Sequence, residues 1–201
     1  MHKNFRKNRK TVRQILNHHF DRFGKCDRIK MLASHLKMST LFFEKKDEEK
    51  TMIPERLAAL REKMRAYGVD AYLVPTADYH ESEYVGTYFK ARTYITGFTG
   101  SAGTAVITQD EACLWTDGRY FVQAAKELAG TGVTLMKMGQ EGVPTVEEYL
   151  AANTKEGMTI GFDGRVVNEM LGEALEKTLP ERFLSYRSDL IGEIWSDRPA
   201  L

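Results

Sequence analysis

The sequence predicts an α/β domain, a mixed β-sheet flanked by helices. Short strand-like runs alternate with amphipathic helical stretches through residues 52–196, which builds a sheet with helices on its faces. Thr104–Thr108 and Ala112–Thr116 are separated only by Gln109, Asp110 and Glu111. That link is too short for a crossover, so this pair is antiparallel and the sheet is mixed. No internal repeat is visible.

The elements follow in order. Pro54 suits the first turn of a helix. Leu57, Leu60, Met64 and Tyr67 form its apolar stripe, and Gly68 ends it as a left-handed cap. Ala71–Val74 reads as a short buried strand stopped by Pro75. Residues 78–88 are polar and aromatic, a loop or short helix. Tyr94-Ile95-Thr96 is a brief β-prone run before Gly97 and is expected as a strand. The antiparallel pair comes next, then a helix over Arg119–Leu128 with Phe121, Ala124, Ala125 and Leu128 on one face. Val133–Met138 is a strand. Thr145 and Glu148 form a capping box for a helix to about Asn153. Met158–Phe162 is a strand closed by Asp163-Gly164. Asn168 caps a helix with Leu171, Leu175 and Leu179 inward. Phe183–Tyr186 is a last strand, and Ser188 caps a short helix ending near Trp195. Pro199 then reads as linker.

The chain has 201 residues and a formal net charge of +1. That balance hides an asymmetry. Residues 1–50 carry 14 Lys and Arg against 6 Asp and Glu, whereas residues 51–201 carry 15 against 22. Four of five histidines fall in the first segment and all five prolines in the second. The break predicts three parts: a basic extension over 1–51, a folded domain over 52–196, and the start of a linker over 197–201. The extension is expected to be disordered or to come from a start site assigned upstream of Met52. A basic arm that binds nucleic acid or an anionic surface is the weaker reading. No run of about 18 apolar residues suggests a membrane span. Cys26 and Cys113 make no disulfide framework, and Cys113 lies in an apolar strand as a small buried hydrophobe. A cytoplasmic setting is expected.

Several segments carry candidate chemistry. Gly97-Phe98-Thr99-Gly100-Ser101-Ala102-Gly103 is glycine-rich, but it leads into a strand. A phosphate loop needs a helix N-terminus there, so the glycines are expected to serve tight turns and close backbone approach. His80-Glu81-Ser82-Glu83 lacks the second histidine of a zinc-binding helix, since Tyr84 stands at that position. Asp117, Asp163 and Glu83 are acidic residues near strand ends. The Asp117-Gly118 and Asp163-Gly164 pairs have turn chemistry, in which the aspartate bonds its own backbone. No nucleophile stands beside a base, so no catalytic set is self-contained. Arg119 follows the Asp117-Gly118 turn, at a junction of strand and helix. A guanidinium fixed there suits a carboxylate or carbonyl, though it can equally tie the turn to Asp117. Trp115 and Tyr120 are expected in the core.

These residues also carry a resemblance. Gly97 through Ala105, Leu114-Trp115-Thr116-Asp117-Gly118-Arg119-Tyr120-Phe121, Gln123-Ala124-Ala125, Leu135 through Gly139, Pro144-Thr145 and Ile194 through Pro199 occur in order. Over residues 53–199 the chain resembles the N-terminal domain of the Xaa-Pro aminopeptidase (aminopeptidase P) family, three-domain type, within the creatinase/prolidase superfamily. The resemblance implies a creatinase N-terminal fold with a ribonuclease H-like layout. It implies a second domain and a catalytic domain beyond Leu201, with two manganese ions held in the latter. It implies a manganese-dependent hydrolase that removes the residue before proline, and a fragment inactive by itself. Arg119 maps onto a peptide-binding arginine. His80 and Tyr84 fall in a matching segment and could face the active site, without an assigned role. Expected partners are a short peptide with proline second and the remaining domains of the chain. Homodimer formation is left open, and neither membrane nor nucleic acid is expected. The alternative is a stand-alone peptide-binding module with no peptidase activity.

Overall fold

The computed structural model describes residues 49–186 and 189–201. Residues 1–48 of the expected extension, and Ser188, lie outside the described residues. The described chain forms a six-stranded mixed sheet in the order β4-β3-β2-β1-β5-β6. The strands are β1 (Ala71–Pro75), β2 (Thr104–Thr108), β3 (Ala112–Thr116), β4 (Thr134–Lys137), β5 (Thr159–Phe162) and β6 (Phe183–Ser185). As expected, β2 and β3 are antiparallel; β2 is also antiparallel to β1, while every other pairing is parallel. Five strands therefore point one way and only β2 opposes them. Their carboxyl ends share one edge of the sheet with the start of β2, where Pro75, Thr104 and Trp115 stand in register.

Helix α1 covers residues 49–67 of the described chain. Ile53, Leu57, Leu60 and Met64 are almost wholly buried at helical spacing. Burial of each contributes about 1.5–3 kcal/mol. Two expectations change here. The helix already runs ahead of Pro54, so Pro54 lies past the first turn and removes one amide bond. Tyr67 is 52% exposed, and Ile53 takes its place in the stripe. Gly68 ends the helix at φ 65, and the Val69 amide closes back on the Met64 carbonyl at 2.8 Å.

The expected strand at Tyr94–Thr96 is helical. Helix α2 spans Ala91–Thr96, and Gly97 caps it in the left-handed region at φ 77. The run is β-prone, but Arg92 and Ile95 are both buried, three residues apart on one helical face. Burial overrode a weak local preference. Helix α3 is Phe121–Glu127, α4 Val146–Asn153, α5 Glu169–Thr178 and α6 Leu190–Ile194. The Thr145 capping box forms, with its hydroxyl accepting from the Glu148 amide at 3.1 Å and the Glu148 carboxylate accepting from the Thr145 amide at 2.8 Å. Asn168 caps α5 through the Leu171 amide. In α3 Ala124 and Leu128 are buried as expected, but Ala125 is exposed and Glu127 is buried instead. Helix α6 is capped by Asp189, whose carboxylate accepts from the Gly192 amide.

The two faces of the sheet make separate cores. Helices α1, α2, α3 and α6 cover one, against Tyr72, Val74, Ala105, Ile107 and Leu114. Helices α4 and α5 cover the other, against Leu73, Val106, Trp115, Ile160 and Phe162. Successive residues of β1, β2 and β3 alternate between the cores, as the strand period requires.

Candidate functional site

The carboxyl edge of the sheet gathers the loops. Open α/β sheets bind ligands outside the carboxyl ends of their strands. The loop after β1, the glycine-rich segment leading into β2 and the turn after β3 meet in an open depression of about 270 Å³. Thr76, Ser82, Glu83, Ser101, Gly103 and Arg119 are among its lining residues.

Arg119 is positioned by its own turn. The Asp117 carboxylate accepts from the Arg119 amide at 3.0 Å, from Nε at 3.0 Å and from NH2 at 2.9 Å. The Asp117 turn reading therefore holds, and the carboxylate serves backbone and side chain together. These bonds from Arg119 hold the Asp117 carboxyl below the usual carboxylate range, and Asp117 raises the guanidinium in return. Being exposed, the pair adds little to stability. What it does is aim the fork: the Arg119 side chain is 68% exposed, and its NH1 amine has no part in the Asp117 contact. The guanidinium also lies 5.4 Å from the Tyr120 ring centroid.

His80 and Tyr84 sit on the loop after β1, both exposed, and neither lines the depression. Asp78 organises that loop by accepting from the His80 and Ser82 amides at 2.9 and 3.0 Å. The same bonds hold its own carboxyl low. Of the named candidates, the structure thus brings Arg119 and Glu83 together and leaves His80 and Tyr84 outside.

The glycines do what close approach demands. A Cβ on Gly100 would meet the Phe98 ring at 2.3 Å and Tyr120 at 2.8 Å, and one on Gly103 would meet the Trp115 carbonyl oxygen at 2.7 Å. Trp115 is buried and donates to the Pro144 carbonyl at 2.8 Å. Tyr120 is half-buried, with its hydroxyl 2.7 Å from that of Ser101. Cys113 is a buried thiol whose pKa is pushed up mainly by burial.

Two features escaped the sequence. Arg92 is 3% exposed and donates to Thr76, to the Phe98 carbonyl and to the Gly100 carbonyl. No motif announced it. The second is the ion-pair network on the Asp163-Gly164 turn at the end of β5, a turn the sequence had marked and which forms, with the Asp163 carboxylate accepting from the Arg165 amide at 3.1 Å. Arg165 is held by Asp163 as Arg119 is by Asp117, and it also reaches Asp189 at 2.8 Å. Asp189 is shared with Arg198, which packs on the Tyr88 ring at 3.9 Å. The identical tripeptide was the readable signal. Asp163 is thereby spent on a turn and an ion-pair network. Among the described residues no three His, Cys, Asp or Glu side chains are grouped to hold a metal ion, and no helix is long and apolar enough to cross a membrane.

Comparison with known proteins agrees with this architecture. The model of the "Creatinase/Prolidase N-terminal domain" family matches residues 56–194. Aminopeptidase P2 of Arabidopsis thaliana is 41% identical over 159 residues, covering 76% of this chain and 22% of that protein. A probable Xaa-Pro aminopeptidase P of Talaromyces marneffei is 45% identical over 150 residues, covering 73% and 23%. Among solved structures, an X-prolyl aminopeptidase from Caenorhabditis elegans, described as a cytosolic enzyme with a di-nuclear active site, superposes with a TM-score of 0.69 at 37% identity. That match covers 74% of this chain and 26% of the nematode one. The chain spans about a quarter of the length of these relatives.

Proposed function

The chain belongs to the creatinase/prolidase N-terminal domain family, and on that premise we propose that it is the non-catalytic N-terminal domain of a metallo-aminopeptidase that releases the residue preceding proline. It binds and gates the peptide, and Arg119 is its peptide contact. The observation that carries this reading is the Arg119 fork, aimed by Asp117 and exposed beside the depression at the carboxyl edge of the sheet. Proline lacks an amide hydrogen. Around an Xaa-Pro bond the carbonyls are therefore the main-chain handles, and a fixed, always-charged donor suits them. The sequence similarity to proteins named aminopeptidase P supports the substrate class.

Among the described residues no three His, Cys, Asp or Glu side chains are grouped to hold a metal ion, and in this reading the hydrolytic step and its ions, manganese by family resemblance, belong to the part of the protein beyond this domain. Within the domain, the chemistry is binding and orientation. The partners in this reading are the peptide and the remaining domains, in the cytoplasm.

The purified 201-residue chain is expected not to cleave a short Xaa-Pro peptide with added Mn²⁺, beside an active full-length enzyme as control. In the full-length protein, Arg119→Ala is expected to raise KM about tenfold, a loss of about 1.4 kcal/mol, with metal content unchanged. Unchanged kinetics across several peptides would remove Arg119 from the site. Cleavage by the isolated chain would refute the non-catalytic reading. A native protein of this length that binds but never cleaves peptides would instead favour a stand-alone binding module.

A further inference from the structure

We infer that Arg92 is the positioning residue of the depression, joining the loop after β1 to the glycine-rich segment before β2 so that Arg119 is presented in one fixed geometry. The inference rests on the peptide-binding reading for its functional consequence, but its structural basis is separate.

Arg92 does not line the depression. It lies beneath it, and its fork is spent on neutral acceptors. Nε donates to the Thr76 hydroxyl at 2.6 Å, NH1 to the Phe98 carbonyl at 3.1 Å, and NH2 to the Gly100 carbonyl. The guanidinium also lies 4.7 Å from the Phe98 ring centroid. Burial lowers its pKa to about 10, with Glu127 opposing that shift, so the group remains a cation at neutral pH. No ion pair contributes to these three bonds. A charge buried this way is costly, and what it provides is direction: a planar fork that reaches several acceptors at once.

Two of the three acceptors, Thr76 and Gly100, lead toward Arg119. The Thr76 hydroxyl passes the link on by donating to the Gly103 carbonyl at 2.7 Å, and the Thr76 amide donates to the same oxygen at 3.0 Å. Thr76 and Gly103 both line the depression. Beyond Gly100, the Ala102 carbonyl accepts from the Thr116 hydroxyl at 2.7 Å, and Ser101 meets the Tyr120 hydroxyl. Thr116 and Tyr120 flank the Asp117-Gly118-Arg119 turn on both sides. Arg92 is thus joined through two loops to the residues that hold the Arg119 turn.

A lysine in this position carries the same charge but cannot serve three acceptors in a plane. The test uses the 201-residue chain with Arg92→Lys, and with Thr76→Val as a second variant that leaves the arginine in place. Amide hydrogen exchange is read at Thr76, Phe98 and Thr99, against Leu73 and Val106 in the central strands. A short Xaa-Pro peptide is titrated in parallel. Positioning predicts exchange at least about tenfold faster at the three loop amides with the central strands unchanged, and peptide affinity weakened about tenfold. Equal acceleration everywhere would mean that Arg92 is only a stability residue and would overturn the inference. So would loop amides that keep their protection, or peptide affinity that stays at the wild-type level when the loops loosen. If the wild-type chain binds no peptide, the binding reading fails, and the exchange comparison alone decides whether Arg92 positions the loops.

Discussion

At the scale of single residues, Asp117 and Arg119 divide one task. The carboxylate contributes little to folding because both groups are exposed, yet it removes the freedom of a long side chain at the edge of a depression. Asp117→Asn is therefore expected to leave the melting temperature near that of wild type while raising the Kd for peptide several-fold. Equal peptide affinity in titration calorimetry would show that Arg119 needs no such support. Core residues behave in the opposite way. Leu60 is fully buried under the sheet, and Leu60→Ala is expected to cost about 2–5 kcal/mol in urea unfolding without changing the residues of the site. Gly103 combines both roles. A methyl group there meets the Trp115 carbonyl oxygen, which is backbone and cannot swing aside, so Gly103→Ala is expected to cost about 1–3 kcal/mol. A neutral result would mean that the β2–β3 pairing gives way more easily than its burial implies.

At the scale of elements, helix ends are set by local chemistry and helix faces by the sheet. The Thr145 box supplies two reciprocal bonds, so Thr145→Ala is expected to lower stability by about 1 kcal/mol, checked by the urea midpoint. Helix α2 shows the reverse case. Its last three residues favour strand by propensity, but they follow Arg92, whose burial and bonds require a helical turn. The element that reads worst in the sequence is thus the one that carries the buried fork under the depression. Helix α6 is similar in kind. It has only five residues, and it is held by the Asp189 cap and by the Leu190 amide, which donates to the Tyr72 hydroxyl at 3.1 Å.

At the scale of the whole molecule, the single antiparallel strand arranges the site. Because β2 alone opposes its neighbours, its start lies at the carboxyl edge, and the glycine-rich segment arrives where the loops after β1 and β3 leave. Charge sets a pH window. Asp78, Asp117 and Glu193 are held below their ordinary values of 3.8, 3.8 and 4.5 by hydrogen bonds to their charged forms. A depressed folded pKa gives stability that is present above the ordinary value and lost as pH falls through the folded one. Lys63, raised above 10.5 by Glu193, loses its contribution only as pH rises beyond that. The urea midpoint is therefore expected to be flat from about pH 5 to 9 and to fall below about pH 4, modestly because these groups are exposed. A midpoint that rises on acidification would contradict these pairings.

The sequence by itself determined the mixed sheet, most strands, the Thr145 and Asn168 caps, the Gly68 terminus and the Asp117 turn. These depend on periodicity and on contacts within a few residues, which a linear pattern records. It also marked Arg119, because the Asp-Gly pair before it writes out the turn that aims it. Only the tertiary structure decided that Tyr94–Thr96 is helical, that Tyr67 and Ala125 face solvent, that His80 and Tyr84 stand outside the depression, and that Arg92 lies under it. Those outcomes depend on which face a neighbouring element covers. The bonds from Arg92 reach Thr76, 16 residues earlier in the chain, and no local spacing encodes that reach.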